Sequence, residues 1–136
     1  MEGNGLYMTG KIDISNLKTP PEKLEFEAAK YFANLGKDIQ FICPSAIPNQ
    51  HRPDIIMDGI EWEIKSPLGS SKRTIENNMR KAIKQSCNII FDLRRIKLSE
   101  AQAINQLKKE FNHLSKLRKL YIITKSGELI TLVKKG

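Results

Sequence analysis

Residues 54–65 run Asp54-Ile-Ile-Met-Asp58-Gly59-Ile-Glu61-Trp-Glu63-Ile-Lys65, with two carboxylates and a lysine at spacings suited to phosphodiester chemistry. An Asp-Gly pair between alternating apolar runs is the strongest short-range signal for a two-residue hairpin turn. With Asp58 and Gly59 in that turn, Met57 faces Ile60, Ile56 faces Glu61, Ile55 faces Trp62 and Asp54 faces Glu63. Side chains alternate between faces along a strand. Ile55, Met57, Ile60, Trp62 and Ile64 therefore form an apolar face, and Asp54, Ile56, Glu61, Glu63 and Lys65 a polar one. Acids opposed across a ladder repel, and a bound Mg²⁺ or Mn²⁺ would compensate Asp54 and Glu63. Such a cation polarises a phosphoryl oxygen and activates water, while Lys65 would orient that water or neutralise the pentavalent phosphate. A solvated hairpin face is the ordinary alternative for a lone Glu-x-Lys. The opposed acids, and Pro53 at the start of the strand, set this hairpin apart.

Pro53-Asp54, followed after eight intervening residues by Glu63-Ile-Lys65, resembles the PD-(D/E)xK nuclease motif. The run Glu63-Ile-Lys-Ser-Pro67, with Thr74-Ile-Glu-Asn-Asn78, Lys84-Gln85-Ser86 and Asn88-Ile-Ile-Phe-Asp92-Leu-Arg94, also resembles the C-terminal nuclease domains of contact-dependent growth inhibition toxins, over residues 20–133. The resemblance implies Asp54 and Glu63 as metal ligands and Lys65 as the catalytic lysine. It further implies a glutamate from the first helix, either Glu25 or Glu27. Glu25 is preferred because it stands three residues before Ala28, in a Glu-x-x-Ala spacing. Lys84 and Gln85 fall where such nucleases place a polar helix residue beside the site. The implied fold is restriction-endonuclease-like, the implied substrate RNA with tRNA first, and the implied partner an acidic immunity protein over the basic cleft. Delivery within a larger toxin is implied as well. The chain starts at Met1 with no delivery region, which fits either an excised domain or a stand-alone relative. Nothing in the residues separates RNA from DNA. A DNA endonuclease of a phage or mobile element is the alternative reading, and a non-catalytic nucleic-acid-binding module the second.

The net charge of +8 is concentrated after the motif. From Lys65 to Lys97 there are nine basic residues against two acidic ones, Glu76 and Asp92. Basic charge beside a phosphodiesterase site steers a polyanion and releases its counterions. Ile75, Met79, Ala82 and Ile83 recur at helical spacing as a buried side, leaving Arg73, Asn77, Arg80 and Lys84 on another face that could track a nucleic-acid backbone. Solvation is the ordinary fate of any one of these cations. Ser66–Ser71 is expected as a flexible polar loop within reach of substrate. Aromatic content of 7% gives little support for base-stacking platforms.

At 136 residues the chain is expected to form a loosely ordered arm over 1–18 and a single domain over 19–136. No apolar stretch approaches membrane-span length and the N-terminus lacks a signal-peptide pattern, so no membrane partner and a cytoplasmic site of action are expected. Cys43 and Cys87 lack a Cys-x-x-Cys partner and sit beside apolar residues, so both read as free and structural, and a zinc site is not expected. His51, three residues before Asp54, could line the site, although a loop histidine is usually just solvated.

The elements that must position these residues follow from caps and periodicity. Thr19-Pro-Pro-Glu22 reads as a helix start, with Leu24, Ala28, Tyr31 and Leu35 as its core stripe and Gly36 as its stop. Ile39–Ile42 reads as a strand, and Asn88–Leu93 as a buried strand parallel to 60–65 after a crossover helix. Ser99-Glu-Ala-Gln102 opens a helix with Ile104, Leu107, Phe111 and Leu114 inside. Residues 120–124 and 129–133 form a last hairpin. This order predicts an α/β three-layer sandwich, a mixed central sheet flanked by helices.

Overall fold

The computed structural model describes residues 9–135. Along the chain run β1 (Ile12–Asp13), α1 (Lys23–Asn34), β2 (Ile39–Phe41), β3 (Ile55–Met57), β4 (Ile60–Lys65), α2 (Thr74–Ala82), β5 (Asn88–Asp92), α3 (Glu100–His113), β6 (Lys119–Ile123) and β7 (Leu129–Val133). Each strand is hydrogen-bonded to its neighbour in sequence, giving a mixed sheet in the order β1 to β7. The β1–β2, β4–β5 and β5–β6 pairs are parallel and each is bridged by a helix. The remaining pairs are antiparallel and joined without one. The expected α/β class is the one found. The chain divides into two compact units, Met1–Trp62 and Glu63–Gly136. Of the arm expected over 1–18, residues 1–8 lie outside the described residues, and 9–18 include β1, a paired strand that sequence periodicity did not reveal.

In the first unit, α1 starts later than its Thr cap suggested. Glu22 is the cap, its carboxylate accepting from the N–H of Leu24 at 3.2 Å and of Glu25 at 3.3 Å. Thr19 and Pro20 each precede a proline, which disfavours helical backbone at both, so the helix begins only past Pro21. Its end is a Schellman closure, with Gly36 N–H donating to Ala33 O and Lys37 N–H to Phe32 O, both at 3.0 Å. The buried stripe is Ala28, Ala29, Phe32 and Ala33, not the expected Leu24, Ala28, Tyr31 and Leu35. Leu35 is the C-cap and 54% exposed. Small alanines let the helix lie close, so side-chain size mispointed the stripe. Close approach recurs at Gly10, where a Cβ would stand 1.9 Å from Lys37 O. The β3–β4 turn is as read. Asp58 (φ 57°) and Gly59 (φ 77°) are both left-handed, as a type I′ turn requires, and Met57 pairs with Ile60, Ile56 with Glu61 and Ile55 with Trp62.

In the second unit, α2 and α3 pack on one apolar cluster. Ile75, Met79, Ala82, Leu107 and Phe111 meet Ile89, Phe91, Leu120 and Ile122 of β5 and β6. Residues Ile89–Asp92 are all buried, as a parallel strand covered on both faces requires. Ser99 caps α3, its hydroxyl accepting from Gln102 N–H at 3.2 Å. Residues 1–62 hold six basic and nine acidic residues, whereas 63–136 hold seventeen basic and six acidic. The positive charge of the chain is thus a property of the second unit.

Candidate active site

Glu63 is 4% exposed, and the Lys65 ammonium lies 3.3 Å from its Oε2. In the parallel ladder Glu63 pairs with Ile89 and Lys65 with Phe91. Paired residues share a face, and Ile89 and Phe91 belong to the cluster beneath α2 and α3. Glu63 and Lys65 therefore stand on the helix-covered face, at the carboxyl end of β4, where open α/β sheets commonly bind ligands. Keeping a carboxylate out of water is costly, and a buried ion pair at best breaks even against apolar packing. Buried charge of this kind, placed at a strand end, is more characteristic of a working site than of a stabilising contact.

Asp54 departs from the expected rung with Glu63. The ladder ends at Ile55–Trp62, and Asp54 N–H donates to Trp62 O at 2.9 Å. Asp54 and Ile55 thus both face Trp62. This is a β-bulge, a device that re-aims a side chain and stops the ladder. Pro53 supplies the reason, since it has no N–H with which to continue the pairing. Asp54 O accepts from Ile42 N–H at 2.9 Å, which fixes the bend to the end of β2. Glu25 lies in the first turn of α1, and the buried Ala28, Ala29 and Phe32 follow it at i+3, i+4 and i+7, so it belongs to the inward side. Glu27 lies off that side and is 3.9 Å from Lys30.

Of the residues read from sequence, the structure brings Glu63 and Lys65 into contact, and Arg80 Nη1 to 3.4 Å from Asn77 Oδ1. Asp54 and Glu25 belong to the first unit. Arg73, Asn77, Arg80 and Lys84 are all exposed, around a helix whose buried side is Ile75, Met79 and Ala82 as expected. Because those three residues pack in the cluster that contains Ile89 and Phe91, α2 covers the strand face on which Lys65 stands. The helix stops at Ala82, so Lys84 and Gln85 sit in the turn beyond it. The loop after β4 is tied down where a flexible one was expected. Gly69 O accepts from Lys97 N–H at 3.1 Å and Leu98 N–H at 3.0 Å.

Asp92 was missed as more than a charge. It is 1% exposed at the end of β5, and its carboxylate accepts from Arg94 Nε at 2.9 Å and Nη2 at 2.8 Å, with Arg95 Nη1 at 3.5 Å. An acid closing an apolar run and followed by two arginines was the available signal. Cys43 and Cys87 are free as read, but Cys87 is exposed in the turn before β5 and not a packed structural residue, and His51 is exposed. Among the described residues no three His, Cys, Asp or Glu side chains form a metal-binding group. Mg²⁺ is commonly held by one or two carboxylates, completed by water and substrate phosphate. Glu63 is a hard oxygen donor of the kind such an ion takes.

Fold and site define an α/β domain with a buried carboxylate–lysine pair at a strand end, flanked by a basic helix. The chain belongs to the contact-dependent growth inhibition CdiA C-terminal domain family, whose pattern matches residues 51–129. No curated relative matches the sequence. Its fold is similar to that of a chain in the CdiA-CT/CdiI toxin and immunity complex from Burkholderia pseudomallei. The TM-score is 0.66 at 20% identity, over 92% of this chain and 100% of that one. Among the described residues no helix is long and apolar enough to cross a membrane.

Proposed function

We propose that this domain is a toxin-type nuclease that hydrolyses RNA, tRNA first, using Mg²⁺ or Mn²⁺ held by Asp54 and Glu63. The buried Glu63–Lys65 pair at the end of β4 carries this reading. Asp54 is tied through its N–H to Trp62, the residue before Glu63, which supports its role as the second ligand. When bound, the cation supplies Lewis acidity at a phosphoryl oxygen and activates water. Lys65 orients the attacking water or offsets charge developing on the phosphate. Glu25 would be the additional carboxylate supplied from the first helix. Arg73, Asn77, Arg80, Lys84 and Gln85 hold the backbone, which fixes register without reading sequence. Family membership supports growth inhibition as the outcome, and delivery as the end of a larger protein. The likeness to a toxin in complex with its immunity protein supports a cognate immunity partner, for which the excess of basic residues in 63–136 favours an acidic surface.

The test is incubation of the protein and its Asp54→Ala variant with total tRNA and with plasmid DNA, in Mg²⁺, Mn²⁺ or EDTA. Cleavage of tRNA alone, lost in EDTA and in the variant, is expected. Cleavage of DNA alone would move the domain to a DNA endonuclease, and binding without cleavage would reduce it to a nucleic-acid-binding module.

A further inference from the structure

At the end of the second unit where β5 and β6 begin and β7 finishes, five cations collect. Lys134 N–H donates to Arg118 O at 2.9 Å and Arg118 Nη2 donates to Lys135 O at 3.1 Å, which brings Arg118, Lys134 and Lys135 together across the β6–β7 ladder. Lys119 begins β6, and Lys116 is exposed in the turn before it. Both Arg118 N–H and Lys119 N–H donate to Cys87 O, at 2.8 and 3.3 Å, fixing this corner to the start of β5. Lys134 has a structural task. Its ammonium donates to Leu114 O at the end of α3, at 2.6 Å, and lies 4.7 Å from the centre of the Phe111 ring, where a cation complements the helix dipole. Burial, and then the neighbouring Arg118 charge, hold the Lys134 ammonium below the usual lysine range. Among the described residues none of these five cations has a carboxylate within ion-pair distance.

Like charges gathered across a ladder are destabilising, and a polyanion laid over them would offset that. The cluster is separate from the candidate active site. Asn88 pairs with Lys119 and Phe91 with Lys65, so Lys119 and Lys65 are apart by roughly 10 Å along the strands and roughly 10 Å across them, and they point to opposite faces of the sheet. We propose that Lys116, Arg118, Lys119 and Lys135 form a second nucleic-acid-backbone surface, which grips a segment of a folded substrate several nucleotides from the bond at Lys65. This rests on the reading that the target is nucleic acid, and it adds that the substrate is one long or folded enough to reach both places.

The experiment measures binding of total tRNA and of a short single-stranded RNA across a salt series, in an Asp54→Ala background that prevents cleavage. Two double variants are compared with that parent. Lys116→Gln with Lys135→Gln removes exposed ammonium groups with no structural hydrogen bond, and Arg118→Gln with Lys119→Gln removes the centre of the cluster. Circular dichroism monitors folding. Each pair should weaken tRNA binding roughly tenfold at physiological salt and flatten the log–log salt slope by about 2, with binding of the short RNA unchanged. Unchanged tRNA affinity in the Lys116/Lys135 variant overturns the proposal, as does an equal loss on the short RNA. If the unsubstituted protein cleaves nothing while the variants still lose tRNA affinity, the second surface stands and the nuclease reading falls. A parent that binds neither tRNA nor duplex DNA overturns both.

Discussion

Glu63 and Lys65 are two residues apart on one strand, yet burial makes them an energetic unit. Lys65→Met takes the ammonium away from a carboxylate that is 4% exposed. Breaking a buried pair from one side costs about 3 kcal/mol, so urea unfolding should show that loss. Adding Glu63→Gln should recover most of it, because an amide needs no counter-charge. An unfolding midpoint unchanged in Lys65→Met would show that the pair is not coupled and would weaken the case built on its burial. Both single variants should lose cleavage of tRNA and toxicity in cells, including Glu63→Gln, which should stay folded. Sequence spacing found this pair because Glu-x-Lys on a strand puts both side chains on one face. Spacing did not show that the face was buried, since burial depends on α2 and α3 arriving from later in the chain.

The β3–β4 hairpin was legible to the residue because a turn is local chemistry. Asp58 and Gly59 accept positive φ, and that alone fixes three rungs. Gly59→Ala should cost about 1 kcal/mol through its left-handed backbone, readable in the same unfolding curves. Gly10→Ala should cost more, at least about 2 kcal/mol by overpacking, because its Cβ would meet the backbone of Lys37. No local pattern marks that site. The bulge at Asp54 was half-legible: Pro53 forbids the next rung, but where the chain bends depends on the bond from Ile42. The stripe of α1 was misread because its inward positions are mostly alanine, which carries little hydrophobic signal. On α2, Arg73→Gln with Arg80→Gln should reduce the salt slope of RNA binding by about 2 and affect short and long RNA alike. That distinguishes this helix from the second basic surface.

For the whole chain, residues 63–136 hold seventeen basic residues against six acidic, so salt should be the main lever on affinity for the proposed nucleic-acid substrate. Family membership makes growth inhibition the physiological readout. Expression of the domain in the cytosol of a susceptible cell should arrest growth, and Lys65→Met should relieve the arrest. Arrest that persists in the variant would place the toxic activity outside the β4 pair. The sequence by itself determined the α/β class, the three hairpin rungs nearest the turn, the parallel crossover into β5, the N-cap of α3 and the placing of Glu63 and Lys65 on one strand face. Each of these is written in nearest-neighbour chemistry, where turn preference, period and capping act over a few residues. Only the tertiary structure decided the burial of Glu63, the β1–β2 pairing, the anchoring of Gly69 and the meeting of Arg118 with Lys134 and Lys135. Those depend on packing between segments far apart in the chain, which no local pattern encodes.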